Sequence, residues 1–252
     1  MANQRIRRKR EESVFKRSFE LKESCGTIVS DKEEALDIAI ESLKRNRQKL
    51  EEYTKVNPKF LLSLKPVKAP DQPLVARLMA EAAEKAGVGP MAAVAGVLAD
   101  LAVQDMLKIK CGVAVVEDGG EVSANSDVPV DVALAAGDEP LSRRFGFRLT
   151  DFPAGVATSS GRFSHALSFG DAEAVTIFCG NAGLADAAAT AVGNVVRGED
   201  REAAIRQGVD KALSIQGVEG VLVVYKGCVG TGGKIPQIIR VTPSHSDVVL
   251  NL

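Results

Sequence analysis

Hydrophobic and polar positions change period several times along this chain. From Phe15 to Ser30 they alternate loosely, with Phe19, Leu21, Thr27, Ile28 and Val29, which predicts one or two strands with a turn near Gly26. Ala35, Ile38, Ala39, Leu43 and Leu50 then recur near helical spacing and predict a helix to about Tyr53. Asp31 is placed to cap it, with Glu33 and Glu34 in its first turn. Asn57-Pro58 interrupts, and Phe60 to Leu64 is a short apolar piece. Three prolines between Pro66 and Pro73 predict an extended connector. A second helix, Leu74 to Ala86, ends at Gly87, and Gly89-Pro90 opens a third, Met91 to Leu107. This third helix is almost all small and apolar, so it is expected at the centre, with Gly96 admitting another backbone.

Strand signals follow. Gly112 to Val116 is apolar, Asp118-Gly119-Gly120 is a strong turn signal, and Glu121 to Ala124 returns. Val128 to Ala135 alternates, and Phe145 to Leu149 reads as another strand. The small-residue run Thr158-Ser159-Ser160-Gly161 predicts a turn, followed by an apolar strand, Ala172 to Cys179. A glycine-flanked loop, Gly180 to Gly183, leads into an alanine-rich helix carrying Asp186 and Thr190 and running to about Val196. Glu199 to Ile215 is amphipathic and stops at Gly217. Val218 to Lys226 reads as a strand, Gly227 to Lys234 as a glycine-rich turn, and Pro236 to Thr242 as a last strand. The order of strands, helices and strands occurs twice, an α+β pattern.

Composition narrows the function classes. With 252 residues, 45% of them apolar, and a net charge of −1, nothing calls for nucleic acid or a membrane surface. There is no Trp and there are only two Tyr, which excludes base-stacking platforms. The basic run Arg5 to Arg10 has no interleaved aromatic, and residues 1–14 are read as a solvated, flexible tail. Cys25, Cys111, Cys179 and Cys228 form no C-x-x-C pair, so reduced, partly buried thiols are expected. No uninterrupted apolar span and no signal peptide stand out, so the expected location is cytoplasmic, with a small-molecule ligand and a homo-oligomer as expected partners.

The candidate chemistry lies between Pro153 and Val196. Asp186 and Thr190 are four residues apart, on one helix face. A carboxylate and a hydroxyl there suit a hard cation such as magnesium, while the plain alternative is a polar stripe in an alanine-rich helix. Thr158, Ser159, Ser160 and Gly161 could cradle a phosphate, or form an ordinary tight turn. His165 is either a base or ligand contact or a surface residue. Gly227 to Lys234 lacks the P-loop spacing, since Cys228 and Ile235 stand where Gly and Ser or Thr are needed. Glu117 to Glu121 is a hairpin first, and second a set of acids able to reach a sugar hydroxyl.

Several of these motifs carry a resemblance. Ala157-Thr158-Ser159, Ala174-Val175-Thr176-Ile177, and Ala185-Asp186-Ala187 with Thr190 resemble the C-terminal half of the ApbE-like proteins, flavin transferases that use FAD and magnesium. Gly87 to Gly96 and Val116 to Glu121 resemble an uncharacterised family of short ApbE-like proteins, a likeness covering nearly the whole chain after about residue 15. The resemblance implies an α+β, duplicated T-fold-like domain over residues 15–252. Its two similar halves, about 15–126 and 127–252, would each be antiparallel sheet with helices on one face, and a site would lie between them. It implies metal ligands at Asp186 and Thr190, and flavin or phosphate contacts at Gly89, Thr158, Ser159, Ser160, Gly161 and His165. Two departures stand out. The interval from Arg162 to Asp171 lacks the transferases' Asp-Pro pair, and Gly87 to Ala95 lacks their Lys and Tyr. One expectation is therefore a protein that binds FAD, FMN or another nucleotide-like phosphate ligand with a divalent ion. The other is a non-catalytic oligomer that keeps the fold and has lost the transferase site. No complete catalytic set stands out, so both readings stay open.

Overall fold

An eight-stranded antiparallel sheet forms the spine of the computed structural model, which describes residues 14–133, 145–159, 171–240 and 248–249. Its first four strands are β1 (Phe15–Leu21), β2 (Ser24–Ser30), β3 (Val113–Asp118) and β4 (Glu121–Ser126). The other four are β7 (Ala154–Ser159), β8 (Ala174–Cys179), β9 (Val218–Tyr225) and β10 (Cys228–Gly233). They lie side by side in the order β1-β2-β3-β4-β7-β8-β9-β10, joined in the middle through β4 and β7.

Between β2 and β3 the chain forms α1 (Glu33–Val56), α2 (Pro58–Leu62) and α3 (Leu74–Ala86). A 3-10 turn (Pro90–Ala93) and α4 (Val94–Leu107) complete that run. Between β8 and β9 it forms α5 (Ala182–Gly193) and α6 (Arg201–Ser214). Two runs of strand pair, helices and strand pair thus stand end to end, as the α+β pattern implies.

Period-2 alternation sends the residues of each strand to opposite faces. Val116, Val175, Ile177 and Val223 pack with the helices, where Ala39, Leu43, Met79, Leu98 and Ala188 close the larger core. Val113, Val115, Val122 and Phe178 face the other way. That second face is covered by a small sheet the sequence reading lacked: β5 (Val130–Ala133), β6 (Phe145–Leu149), β11 (Gln237–Arg240) and β12 (Val248–Val249), ordered β11-β6-β5-β12. Phe147 from β6 meets the Phe178 ring edge-on, 4.7 Å between centroids. Buried Asp131 and Arg148 pair across β5 and β6 through two hydrogen bonds of 2.8 Å.

Several local expectations need correction. Asp31 does not cap α1; Lys32 precedes that helix, and the Asp31 carboxylate instead accepts from the Gly112 and Val113 backbone N–H groups at 3.0 Å. The segment after Gly89-Pro90 starts as the 3-10 turn before α4 begins at Val94. Gly227 to Lys234 is chiefly strand β10. Cβ atoms at Gly230 and Gly232 would lie 2.1 Å from Ile205 and 2.5 Å from Val209, so these glycines let α6 press on the sheet. Within the last expected strand, β11 spans Gln237–Arg240 and pairs with β6 in the small sheet. Cys25 is exposed, whereas Cys111 and Cys179 are buried, and all four cysteines are free.

Pro90–Leu107 is the stretch among the described residues long and apolar enough to cross a membrane by composition, contrary to the expectation of none. Here it is a core segment, packed on α1, α5, β3 and β4.

Candidate functional site

Two glycines let α4 and α5 approach within backbone contact. A Cβ on Gly96 would lie 2.2 Å from the Ala182 carbonyl oxygen, and one on Gly183 would lie 2.5 Å from the Val97 side chain. At this crossing each helix sends a carboxylate to the first turn of the other. Asp100, on α4, accepts from the Ala182 and Gly183 N–H groups at 2.9 Å each, and from the Ser123 hydroxyl at 2.7 Å. Asp186, on α5, accepts from the Gly96 N–H at 3.1 Å. The first-turn donors that a helix leaves without internal partners are satisfied by exchange. Asn181 adds a local cap, its side-chain oxygen accepting from Leu184 N–H at 2.9 Å.

This arrangement corrects the reading of Gly180 to Gly183 as a loop. Ala182 and Gly183 are already the first helical residues of α5, and their donors are occupied by Asp100.

The hairpin of β3 and β4 supplies further acids. Asp118 and Glu121 stand opposite one another in the register, flanking the turn at Gly119 and Gly120. Directly opposed residues project to the same face of a sheet. Here it is the helix face, because Ser123, two residues beyond Glu121, reaches Asp100 on α4. Glu117, buried, accepts from the Gly120 N–H at 2.9 Å. Asp118 is 1% exposed, and its Oδ2 has no hydrogen-bond partner.

Burial favours protonation of Asp100, Asp118, Glu121 and Asp186, and like charge adds to it at Glu121 and Asp186. Burial, then repulsion from Asp186, Asp118 and Glu117, holds the Glu121 carboxyl well above the usual range. Asp186 is pushed up to about 7 by burial, partly opposed by the Gly96 and Ala95 N–H groups and reinforced by Asp118 and Asp100. Asp118 rises to about 6, chiefly through burial, with Ser24 and Arg47 pulling back. Arg47 is itself engaged by Glu23, Ser24 and Glu51. Asp100 is also raised by burial, against its three hydrogen bonds.

Asp186 and Thr190 lie one turn apart on α5, both half-buried. Gly89 leads the 3-10 turn that packs on α5, and its lack of a side chain has a steric cause: a Cβ there would fall 1.8 Å from the Ser63 carbonyl oxygen. Thr158 and Ser159 end strand β7 rather than forming a turn. The Thr158 hydroxyl bonds that of Thr176 at 3.0 Å, on the sheet face away from Asp186. Ser159 is buried, on the alternate face. Ser160, Gly161 and His165 lie outside the described residues. Among the described residues no group of three or more His, Cys, Asp or Glu side chains is placed to hold a metal ion. Asp100 was absent from the sequence-derived candidates. Its signal was a carboxylate inside the otherwise apolar run Val94 to Val103 of α4.

A family model described as AbpE bacteria matches residues 21–223. A UPF0280 protein from Methanococcus vannielii is 38% identical over 232 residues, covering 90% of this chain and 94% of its own length. One from Methanosarcina acetivorans is 37% identical over 234 residues, covering 92% and 91%. Among solved structures, the flavinyl transferase ApbE of Pseudomonas stutzeri, in its apo form, superposes with a TM-score of 0.57 at 15% identity, over 87% of this chain and 94% of that one. The ApbE protein of Thermotoga maritima gives 0.56 at 15% identity, over 91% and 97%. At that identity the likeness is one of fold.

Proposed function

Since the chain belongs to the family that the AbpE bacteria model describes, we propose that it binds a flavin nucleotide or another nucleotide-like phosphate ligand, with a divalent cation held by Asp186 and Thr190. The observation that carries this reading is the gathering of buried and half-buried carboxyls near Asp186. Asp118 and Asp100 both act on it, and one oxygen of Asp118 is buried without a partner. Magnesium and manganese take oxygen donors and are commonly held by one or two carboxylates plus a phosphate, so this donor set fits such an ion. When bound, the cation would neutralise and polarise a phosphate.

The first turn of α5 is spent on Asp100 and Asn181, so the phosphate would be drawn to the ion rather than to the helix N-terminus. Ser159 on β7, the Gly89 turn, and Ser160, Gly161 and His165 remain the residues to substitute on the ligand side, whereas Thr158 faces away from Asp186. The Pseudomonas stutzeri neighbour is named a flavinyl transferase, which makes FAD and FMN the first ligands to test.

Isothermal titration of wild type and Asp186→Ala with FAD, FMN and ADP, with and without magnesium, tests the reading. Binding that needs both magnesium and Asp186 supports it. No binding by wild type, or equal binding by both, overturns it and leaves the non-catalytic oligomer as the alternative.

A further inference from the structure

We propose that Glu121 is a second carboxylate ligand of the cation at Asp186, reaching it from the sheet side, with buried Asp118 accepting a hydrogen bond from a water on that ion. This rests on the reading of Asp186 as a cation ligand.

The argument starts from how the hairpin is fixed. Ser123 donates to Asp100 Oδ1 at 2.7 Å, and the same oxygen takes the Ala182 N–H at 2.9 Å. The helix-side face of β4 is therefore pinned to the first turn of α5. Asp186 is four residues, about one turn, beyond Ala182, and Glu121 is one same-face position from Ser123. The two carboxylates stand on different elements, α5 and β4, which pack on one another. Asp186 is the charge that bears most strongly on Glu121, ahead of Asp118 and Glu117.

Asp118 gives an independent sign that something is to be bound. It stands directly opposite Glu121 in the strand register, is 1% exposed, and leaves Oδ2 without a partner. Buried acceptors are almost always hydrogen-bonded, because leaving one unpaired is costly. Its charge acts on both Glu121 and Asp186, so it lies near both. Asp186 and Glu121 together would match the charge of a divalent ion, and such ions usually retain several waters, one of which would supply the donor that Asp118 lacks.

The test uses manganese chloride alone, titrated into the full chain by calorimetry, with melting curves in EDTA and in manganese. Wild type is expected to bind one equivalent and to melt higher in manganese. Glu121→Gln should weaken binding at least tenfold, and Asp118→Asn a few-fold. Gln is nearly isosteric and removes repulsion, so in EDTA Glu121→Gln should melt at or above wild type. Unchanged affinity in Glu121→Gln while Asp186→Asn abolishes binding overturns the role of Glu121 and leaves the Asp186 site standing. A lower melting temperature of Glu121→Gln in EDTA also overturns it, because Glu121 would then be making a stabilising contact. Absence of manganese binding by wild type removes the cation reading itself, and this inference with it.

Discussion

Asp100 and Asp186 perform the same act in opposite directions, each capping the helix that carries the other, yet their surroundings differ. Asp100 spends both oxygens on three donors from α5 and β4. Asp186 accepts from the Gly96 N–H, with the Ala95 N–H also acting on it, keeps part of its surface open, and faces other acids. A carboxylate whose acceptors are filled holds structure. One whose acceptors are partly free, among like charges, is suited to an ion. The crossing of α4 and α5 thus uses one aspartate as a fixed clasp and leaves its counterpart available.

Breaking the clasp should have the largest effect. Asp100→Ala strands the Ala182 and Gly183 N–H groups and the Ser123 hydroxyl, a loss of about 4 kcal/mol, measurable by urea denaturation. Asp186→Ala should lose about 1 kcal/mol or less by the same measurement. If the two losses are equal, the distinction fails. Gly96→Ala comes next, because its Cβ would meet the Ala182 carbonyl at 2.2 Å. A loss of about 3 kcal/mol is expected from forcing the helices apart. Wild-type stability there would mean the crossing is looser than described.

The pH dependence sharpens the same contrast. Asp186 is raised to about 7 and Asp118 to about 6, so the folded chain holds these protons more tightly than the unfolded one. Their contribution is fully present below the unfolded carboxylate pKa, near about 4, and is lost as pH rises through the folded values. The melting temperature in EDTA should therefore fall from pH 5 to pH 8, and fall less in Asp186→Asn. A flat profile, or the same slope in the variant, contradicts this. The smallest effect is local: Asn181→Ala removes the side-chain cap on Leu184 and should lower stability by about 1 kcal/mol, seen as a small drop in the denaturation midpoint.

Much of the fold was legible because its signals are short-range. The spacing of Ala35, Ala39, Leu43 and Leu50 gave α1, and Asp118-Gly119-Gly120 gave the hairpin of β3 and β4. What escaped depends on partners distant in sequence. Asp31 has the look of a helix cap, but its acceptors go to Gly112 and Val113, some 80 residues on, with 81 and 82 as the separations. Alternation in Val130–Ala133 and Phe145–Leu149 marks strands but not the sheet they join. The glycines of β10 look like a turn until the close approach of α6 explains them. At the site, Asp186 and Thr190 could be singled out by motif. Asp100 could not, because its function is defined by Ala182 and Gly183, 82 and 83 residues away.

The most direct measurement of the central claim is paramagnetic broadening of backbone amide signals in nitrogen-15-labelled protein on adding substoichiometric manganese. The account predicts broadening centred on Gly96, Glu121 and Asp186 to Thr190, lost in Asp186→Asn and retained in a variant such as Glu33→Gln on the first turn of α1. Broadening that is absent, that centres on exposed acids of α1, or that persists in Asp186→Asn would contradict it.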